Sequence, residues 1–484
     1  MPHPPVVLEA DRHAKRPPWL NDVTNYHNRG DIDWSSCSEM CLEQGDFYGL
    51  DDLFTEKPGV VRGLADVYSS WIRRFKVDGF RVDAARHVDR AFFRAWAPRI
   101  LAAAQAAGVP GFQIFAEAWI DSAIDLADLA RKRQLPNVLD FPFQDVVTSF
   151  AGGAVSARAV ASLLHDDDYF LGPSGIAYTP VTFLGNHDMG RAALEIKNRS
   201  GSSGETLLRR VLLGYSLLYL LRGAPVVMFG DEVGMLGRGG DAQARQDMFP
   251  TAVPEWRAEE RVGSAPIGES SSFDVVAHPV AEHLRALARL RDSHPALATG
   301  ATVLRLARGK ILALSRIDAQ ARREYLVVFN PGETPRSVVV SAATPSTSWT
   351  PLLGKDTAAR SDASGRLMVD VPALSAVALR AGIHLPRRRP GTPELRVSED
   401  PLTGLTQLTA AVPTADPVSV TFAVRRTAEG KWQRIATDDT PPYRAFVDSH
   451  ALLRGRTVYI VAIVRASDGR LIPSSVKPLT IARS

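Results

Sequence analysis

The chain has 484 residues, of which 45% are hydrophobic and 23% charged, a globular composition with ample core that excludes a disordered or fibrous protein. At about 100 to 250 residues per domain, that length predicts three domains. Basic residues are scattered and the net charge is only +4; the one dense basic cluster, residues 387 to 389, lies between prolines and reads as solvated linker. No apolar run is long enough to span a bilayer, so neither nucleic acid nor membrane is an expected partner.

Residues 1 to 57 are rich in Asp, Asn, Gly and aromatics and show little periodicity, as expected of a long loop excursion. Their first residues carry no charged start followed by an apolar core, so no export signal is visible. Cys37 and Cys41 are the only cysteines. With no His pair at ligand spacing they do not suggest zinc, and they read equally well as a local disulfide or as two inert thiols.

From residue 58 to about 294, short β-branched runs alternate with helical periodicity. The runs are "DGFRVD" (78 to 83), "QIFAEA" (113 to 118), "NVLDF" (137 to 141), "VTFLG" (181 to 185) and "VVMFG" (226 to 230). Between them, residues 89 to 108 and 204 to 223 read as helices closed by glycine, and 278 to 294 as a final helix. Strand and helix alternating in this way predict a parallel sheet wrapped by helices. Residues 231 to 277 form a second Gly- and Asp-rich excursion, and long loops after parallel strands are where sites are built. Beyond Pro295 the periodicity becomes that of short alternating strands, predicting an antiparallel β domain to residue 382. A linker at 383 to 390 and a last all-β unit at 391 to 484, spaced like a seven-strand immunoglobulin- or fibronectin-like sandwich, complete the chain.

Three predicted strand ends carry an acid where a core would favour an apolar residue: Asp83 in "GFRVDAARH", Glu117 in "IFAEAW" and Asp188 in "FLGNHDMGR". Taken singly, Asp83 could cap the helix near residue 89 and Asp188 could make a turn after Gly-Asn. Taken together they form a set. The intervals of 34 and 71 residues fit one and two strand-helix units of roughly 30 or more residues each, so all three project from one rim. Paired carboxylates about 5 to 5.5 Å apart suit retaining glycoside hydrolysis, one attacking the sugar carbon and the other protonating the leaving oxygen. Apolar neighbours Phe115, Ala116, Ala118 and Trp119 are expected to raise the pKa of Glu117, as a proton donor needs. Arg81, two residues before Asp83, is expected to keep that carboxylate ionised, as a nucleophile needs.

"GFRVDAARH", "FAEAW" and "FLGNHD", in that order and at those intervals, resemble the α-amylase family, glycoside hydrolase family 13; "GDFYGLDDLFTE" (45 to 56) and "GRGGDAQARQDMFP" (237 to 250) resemble loops of its bacterial members. The resemblance covers residues 19 to 382 or so. It implies a (β/α)₈ barrel followed by a β domain, acting on α-glucosidic bonds with retention. Asp83 would be the nucleophile, Glu117 the general acid/base and Asp188 the transition-state stabiliser. Arg81, His87, Trp119, Asn186 and His187 would contact the sugar or the nucleophile. The reaction would need no cofactor; a structural calcium stays open, and no metal ligands are assigned. The partner would be an oligo- or polysaccharide, with the oligomeric state unspecified.

The sequence also departs from the family pattern. Only five strands precede residue 294, and the first of them carries the nucleophile, which the family places on its fourth. The expected fold is therefore an incomplete TIM-type barrel retaining strands 4 to 8 within residues 1 to 294. The segment "NDVTNYHN" (21 to 28) only superficially resembles the motif that ends the family's third strand. Five strands do not close, so the strand near residue 80 is expected to be an edge with an uncovered apolar face. On this reading Met1 is a late start or the chain a fragment, and an intact protein, extracellular or periplasmic, would supply the missing units and an export signal. A transglycosylase and a non-catalytic carbohydrate-binding remnant are the alternatives to a hydrolase.

Overall fold

The computed structural model describes residues 6 to 480 apart from 173–174, 177–179, 250, 270–272, 274, 355–358, 388, 415–417, 449–456 and 467. Met1, the middle arginine of the basic linker, and the ends of the predicted sandwich at 449–456 and 481–484 lie outside the described residues. The chain forms two compact units, Met1–Leu139 and Asp140–Ser484.

The first unit opens with loop and short 3₁₀ turns before α1 (Glu39–Gln44), which Ser38 caps by accepting the N–H of Cys41 at 3.3 Å. Cys37 and Cys41 are joined as a disulfide across that first turn, which decides between the two readings of the pair. Then follow α2 (Pro58–Phe75), β1 (Gly79–Val82), α3 (Arg90–Ala106), β2 (Gln113–Ala116), α4 (Ala123–Arg133) and β3 (Asn137–Val138). The strands are parallel in the order β1, β2, β3, with Val82 paired to Ala116 and Phe115 to Asn137. Gly79 is required for this approach, because a Cβ there would meet the Gln113 carbonyl oxygen at 2.5 Å. α3 is capped by Asp89, which accepts the N–H of Ala91 at 2.6 Å; Asp83 is thereby released from the capping role.

β1 is an edge strand, as expected, and it is not buried: Arg81 is exposed and its neighbours are only half-buried. On α2, which precedes it, Trp71 and Phe75 remain 50% and 57% exposed.

The second unit begins with α5 (Phe141–Ala151) and α6 (Ala157–His165), a short hairpin of β4 (Leu171–Gly172) and β5 (Gly175–Ile176), and then β6 (Val181–Thr182), α7 (Ala192–Ser200), α8 (Gly204–Leu220) and β7 (Ala224–Pro225). β6 and β7 are parallel. The strand expected at 226 to 230 instead ends at Pro225: the Val226 N–H still donates to the Thr182 carbonyl, but the chain then turns, leaving Val226 and Phe229 43% and 63% exposed. A β-branched run makes a strand only where a partner holds it. Among the described residues no helix is long and apolar enough to cross a membrane.

After helix Pro279–Ser293 come an antiparallel six-stranded sheet and a two-stranded one within residues 301 to 381, packed around a core that includes Leu326, Val328, Trp349 and Val377. Residues 394 to 480 form a three-stranded and a five-stranded antiparallel sheet sharing a core of Leu408, Val420, Phe422 and Ile460. Among the described residues that is one strand more than the seven expected, because Leu471–Pro473 and Lys477–Thr480 are separate partners of the same strand, Thr457–Arg465. Against the helical part this region lays Phe446 on Tyr169 at 3.9 Å between ring centroids, and Arg444 on Asp168 at 2.8 Å.

Candidate active-site residues

In the first unit the site grows from the register of β1 and β2. Val82 pairs with Ala116, so Asp83 and Glu117 are the next residues on adjacent strands that lie about 4.7 to 4.9 Å apart. The ladder continues past both strands: the Glu117 N–H donates to the Val82 carbonyl at 2.7 Å and the Ala85 N–H to the Glu117 carbonyl at 2.8 Å. Between them, the Ala84 N–H donates to Glu117 Oε2 at 2.9 Å. Ala84 achieves this in the left-handed region, φ +47°, a conformation that costs a non-glycine residue roughly 1 to 2 kcal/mol.

Arg81 Nη1 pairs with Asp83 Oδ1, as the spacing predicts for residues on the same side of a strand. The Asp83 side chain is 73% exposed. Burial alternates along the second strand and its extension: Ile114, Ala116 and Ala118 are buried, Phe115 and Glu117 half-buried, and Trp119 exposed. The apolar wall anticipated around Glu117 is therefore one-sided, since the two alanines belong to the opposite face.

His87 follows Asp83 by four residues and is held through α1 and α4. Its Nδ1–H donates to the Leu42 carbonyl at 3.2 Å, while Arg133 donates to Glu43 at 2.7 Å and to the Arg86 carbonyl at 3.2 Å. Burial lowers the His87 pKa, so at neutral pH Nε2 carries a lone pair. Around it lies a group that sequence reasoning did not single out. Trp34 stacks on Tyr48 at 5.5 Å, and the rings of Phe47 and Trp34 meet His87 at 5.2 and 5.8 Å. Tyr48 is 74% and Trp34 47% exposed. The sequence signals were the aromatic enrichment of residues 1 to 57 and the family-like loop 45 to 56 that holds Phe47 and Tyr48; the contacts with Trp34 and His87 are made by the fold.

In the second unit "GNHDMG" forms a closed loop. Asn186 exchanges backbone hydrogen bonds with Gly190 at 2.9 and 3.0 Å, and its Oδ1 accepts the N–H groups of Asp188 and Met189, both at 2.9 Å. The Asn186 side-chain oxygen thus helps to form the loop by accepting from its backbone. The turn is made by Asn186, which leaves the Asp188 carboxylate 3.3 Å from His187 Nε2 and 40% exposed. The loop 237 to 241 packs directly on it: the Asp241 N–H donates to the His187 carbonyl at 2.6 Å, and a Cβ on Gly240 would meet the Asp188 carbonyl oxygen at 1.8 Å. Arg191, buried, anchors the loop through Gln246 at 2.8 Å and Asp231 at 3.0 Å. Among the described residues, no three or more His, Cys, Asp or Glu are grouped to hold a metal ion.

The sequence profile of the α-amylase catalytic domain matches residues 10–260, which contain all of these residues. The chain belongs to the α-amylase family. The α-amylase of Streptomyces lividans is 37% identical over 481 residues, 97% of this chain and 52% of that protein. A cyclomaltodextrin glucanotransferase of Niallia circulans is 26% identical over 347 residues, 69% of this chain and 41% of that protein. The chain thus spans about half, or less, of the length of these two relatives. Among solved structures, the α-amylase of Geobacillus thermoleovorans complexed with acarbose superposes with a TM-score of 0.62 over 76% of this chain and 74% of that one, at 23% identity. The fold is α-amylase-like, with an all-β C-terminal region.

Proposed function

We propose that this chain acts on α-glucans or α-glucosides by the retaining, two-step route of its family. The observation that carries the reading is the pairing of Asp83, salt-bridged to Arg81, with Glu117 in the next register position of the adjacent parallel strand. Neighbouring strands lie about 4.7 to 4.9 Å apart, a backbone spacing compatible with the roughly 5 to 5.5 Å between carboxylates that covalent catalysis uses. Asp83 attacks the anomeric carbon. Glu117 protonates the leaving oxygen and then takes a proton from water; the N–H of Ala84 holds its Oε2 in place. Asp188, with His187 beside it, stabilises the oxocarbenium-like charge, and Asn186 shapes the loop that carries both. His87 and Trp119 contact neighbouring sugar units. The five short parallel strands correspond to strands 4 to 8 of a barrel, a reading supported by the edge position of β1 and the bare face of α2. The two-sheet terminal region is an immunoglobulin- or fibronectin-like sandwich serving as a spacer. The disulfide supports a life in an oxidising compartment.

A second reading, transfer to a sugar hydroxyl in place of water, is favoured by the likeness to a cyclomaltodextrin glucanotransferase and by the exposed Trp34 and Tyr48, which offer an acceptor sugar a stacking face. Maltooligosaccharide incubated with and without a labelled acceptor separates the two. Shorter products only indicate hydrolysis, and labelled longer ones transfer. Absence of turnover, with binding retained, would leave a carbohydrate-binding remnant and overturn the enzymatic reading.

A further inference from the structure

Arg133, the last residue of α4 and 3% exposed, spreads its guanidinium over three acceptors. Nη1 donates to the Val88 carbonyl, and Nη2 to the Arg86 carbonyl at 3.2 Å and to Glu43 Oε1 at 2.7 Å. The two carbonyls belong to the residues on either side of His87. Glu43, in turn, follows Leu42, whose carbonyl accepts the His87 Nδ1–H at 3.2 Å. Arg133 therefore holds the main chain around His87 directly, and the support of its ring through α1. These neighbours are not stiff by themselves. Ala85–His87 is a single 3₁₀ turn that starts from the left-handed Ala84. The helix α1 has only 6 residues, short of the roughly 12 to 15 that an isolated helix needs. The rings of Phe47 and Trp34 rest on His87, so their placement follows its own.

Stability alone gives such an arrangement little advantage, because desolvation of a buried ion pair offsets most of its attraction and apolar packing of similar volume does as well. A guanidinium differs from apolar packing, and from an ammonium, in direction: its donors lie in one plane at fixed angles, so the acceptors it binds are set relative to one another. Here those acceptors belong to the turn that follows Asp83 and to the helix that supports the His87 ring. We infer that Arg133 is a positioning residue of the site: with Glu43 it acts through His87, fixing where that ring and the face of Trp34 and Tyr48 meet the sugar chain. The contact of His87 with sugar rests on the function proposed above, whereas the grip on His87 rests on the hydrogen bonds themselves.

The test uses Arg133→Lys, which keeps the charge and loses the fork, and the milder Glu43→Gln, which keeps an acceptor; circular dichroism checks that each folds. The full chain, labelled in histidine, is titrated by NMR, the His87 signal being the one missing from His87→Ala. Burial, more than the charges of Arg86 and Arg133, lowers the His87 pKa in the intact chain. Either substitution is expected to release the ring and raise that pKa; removing the Glu43 charge would by itself lower it, so a rise reports movement. On a maltooligosaccharide, either is expected to lower kcat/KM by about tenfold or more. In a His87→Ala background each should add less than about twofold, because residues acting as one unit are not additive. A role in folding alone predicts an unmoved titration and losses that multiply with that of His87→Ala, and either result overturns the inference. If the unsubstituted chain shows no turnover, the proposed function fails and the titration decides the inference. Turnover with an unmoved titration removes the inference and leaves the function.

Discussion

Glu117 accepts the backbone N–H of Ala84, the residue that follows Asp83, at 2.9 Å. The two acids are thus coupled through one left-handed residue at the end of an edge strand, and the position of one depends on the backbone of the other. Replacing Glu117 by Gln is expected to lower turnover of a maltooligosaccharide by roughly 10² to 10⁴-fold, the usual worth of a positioned proton donor. Steady-state kinetics on an unactivated substrate and on a nitrophenyl α-glucoside check it, the loss being smaller where the leaving group needs no proton.

Arg81 touches Asp83 at an exposed position, so its pairing adds only about 0.2 to 1 kcal/mol to stability. Arg81→Leu should therefore leave urea denaturation nearly unchanged while lowering kcat by roughly 10² or more, because a charge that orients the nucleophile is lost. A parallel fall in stability and activity would make Arg81 structural.

Much of this arrangement was legible in the sequence because it is local. Glycine-closed helices and the run from Phe80 to Asp83 carry their own periodicity, and residues two apart on a strand, such as Arg81 and Asp83, must share a side. What could not be read depends on partners distant in the chain. Val226 to Gly230 has strand composition but turns away after a single hydrogen bond. The environment of Glu117 depends on which chain neighbours share its face, and Ala116 and Ala118 face the other way. The aromatic group around His87 joins residues up to 53 positions apart in sequence.

His27 is buried between Asp52 and Glu56, with Nδ1 to Asp52 Oδ2 at 2.5 Å and Nε2 to Glu56 Oε2 at 2.9 Å. Burial opposes its charge, but the two carboxylates outweigh burial and raise its pKa. A folded value above the unfolded one of about 6.5 means that the imidazolium adds stability fully present below that pH and lost as pH rises through the folded value. The thermal stability of the wild type should accordingly fall above about pH 6.5, a slope that His27→Gln removes. The Asp52 pKa is itself raised, chiefly by burial, and acts at lower pH.

Gly240 sits against the Asp188 carbonyl with no room for a methyl group. Gly240→Ala should displace that loop, costing about 1 to 3 kcal/mol in denaturant unfolding and lowering activity at the same time. Its φ of −88° is open to any residue, so the effect is steric alone.

The disulfide closes a loop between residues four apart in sequence, and so constrains the unfolded chain little. Cys37→Ser with Cys41→Ser is expected to cost at most about 2 kcal/mol, by chain-entropy reasoning. Denaturation with and without reductant measures it.

The central claim is that Asp83 forms the covalent bond to sugar. A fluorinated α-glucosyl fluoride that forms the intermediate but releases it slowly, followed by peptide mass spectrometry, tests this directly. A glycosyl adduct on Asp83, absent from Asp83→Asn, is the predicted result. An adduct on another carboxylate, or turnover that proceeds with inversion and without any adduct, would contradict it.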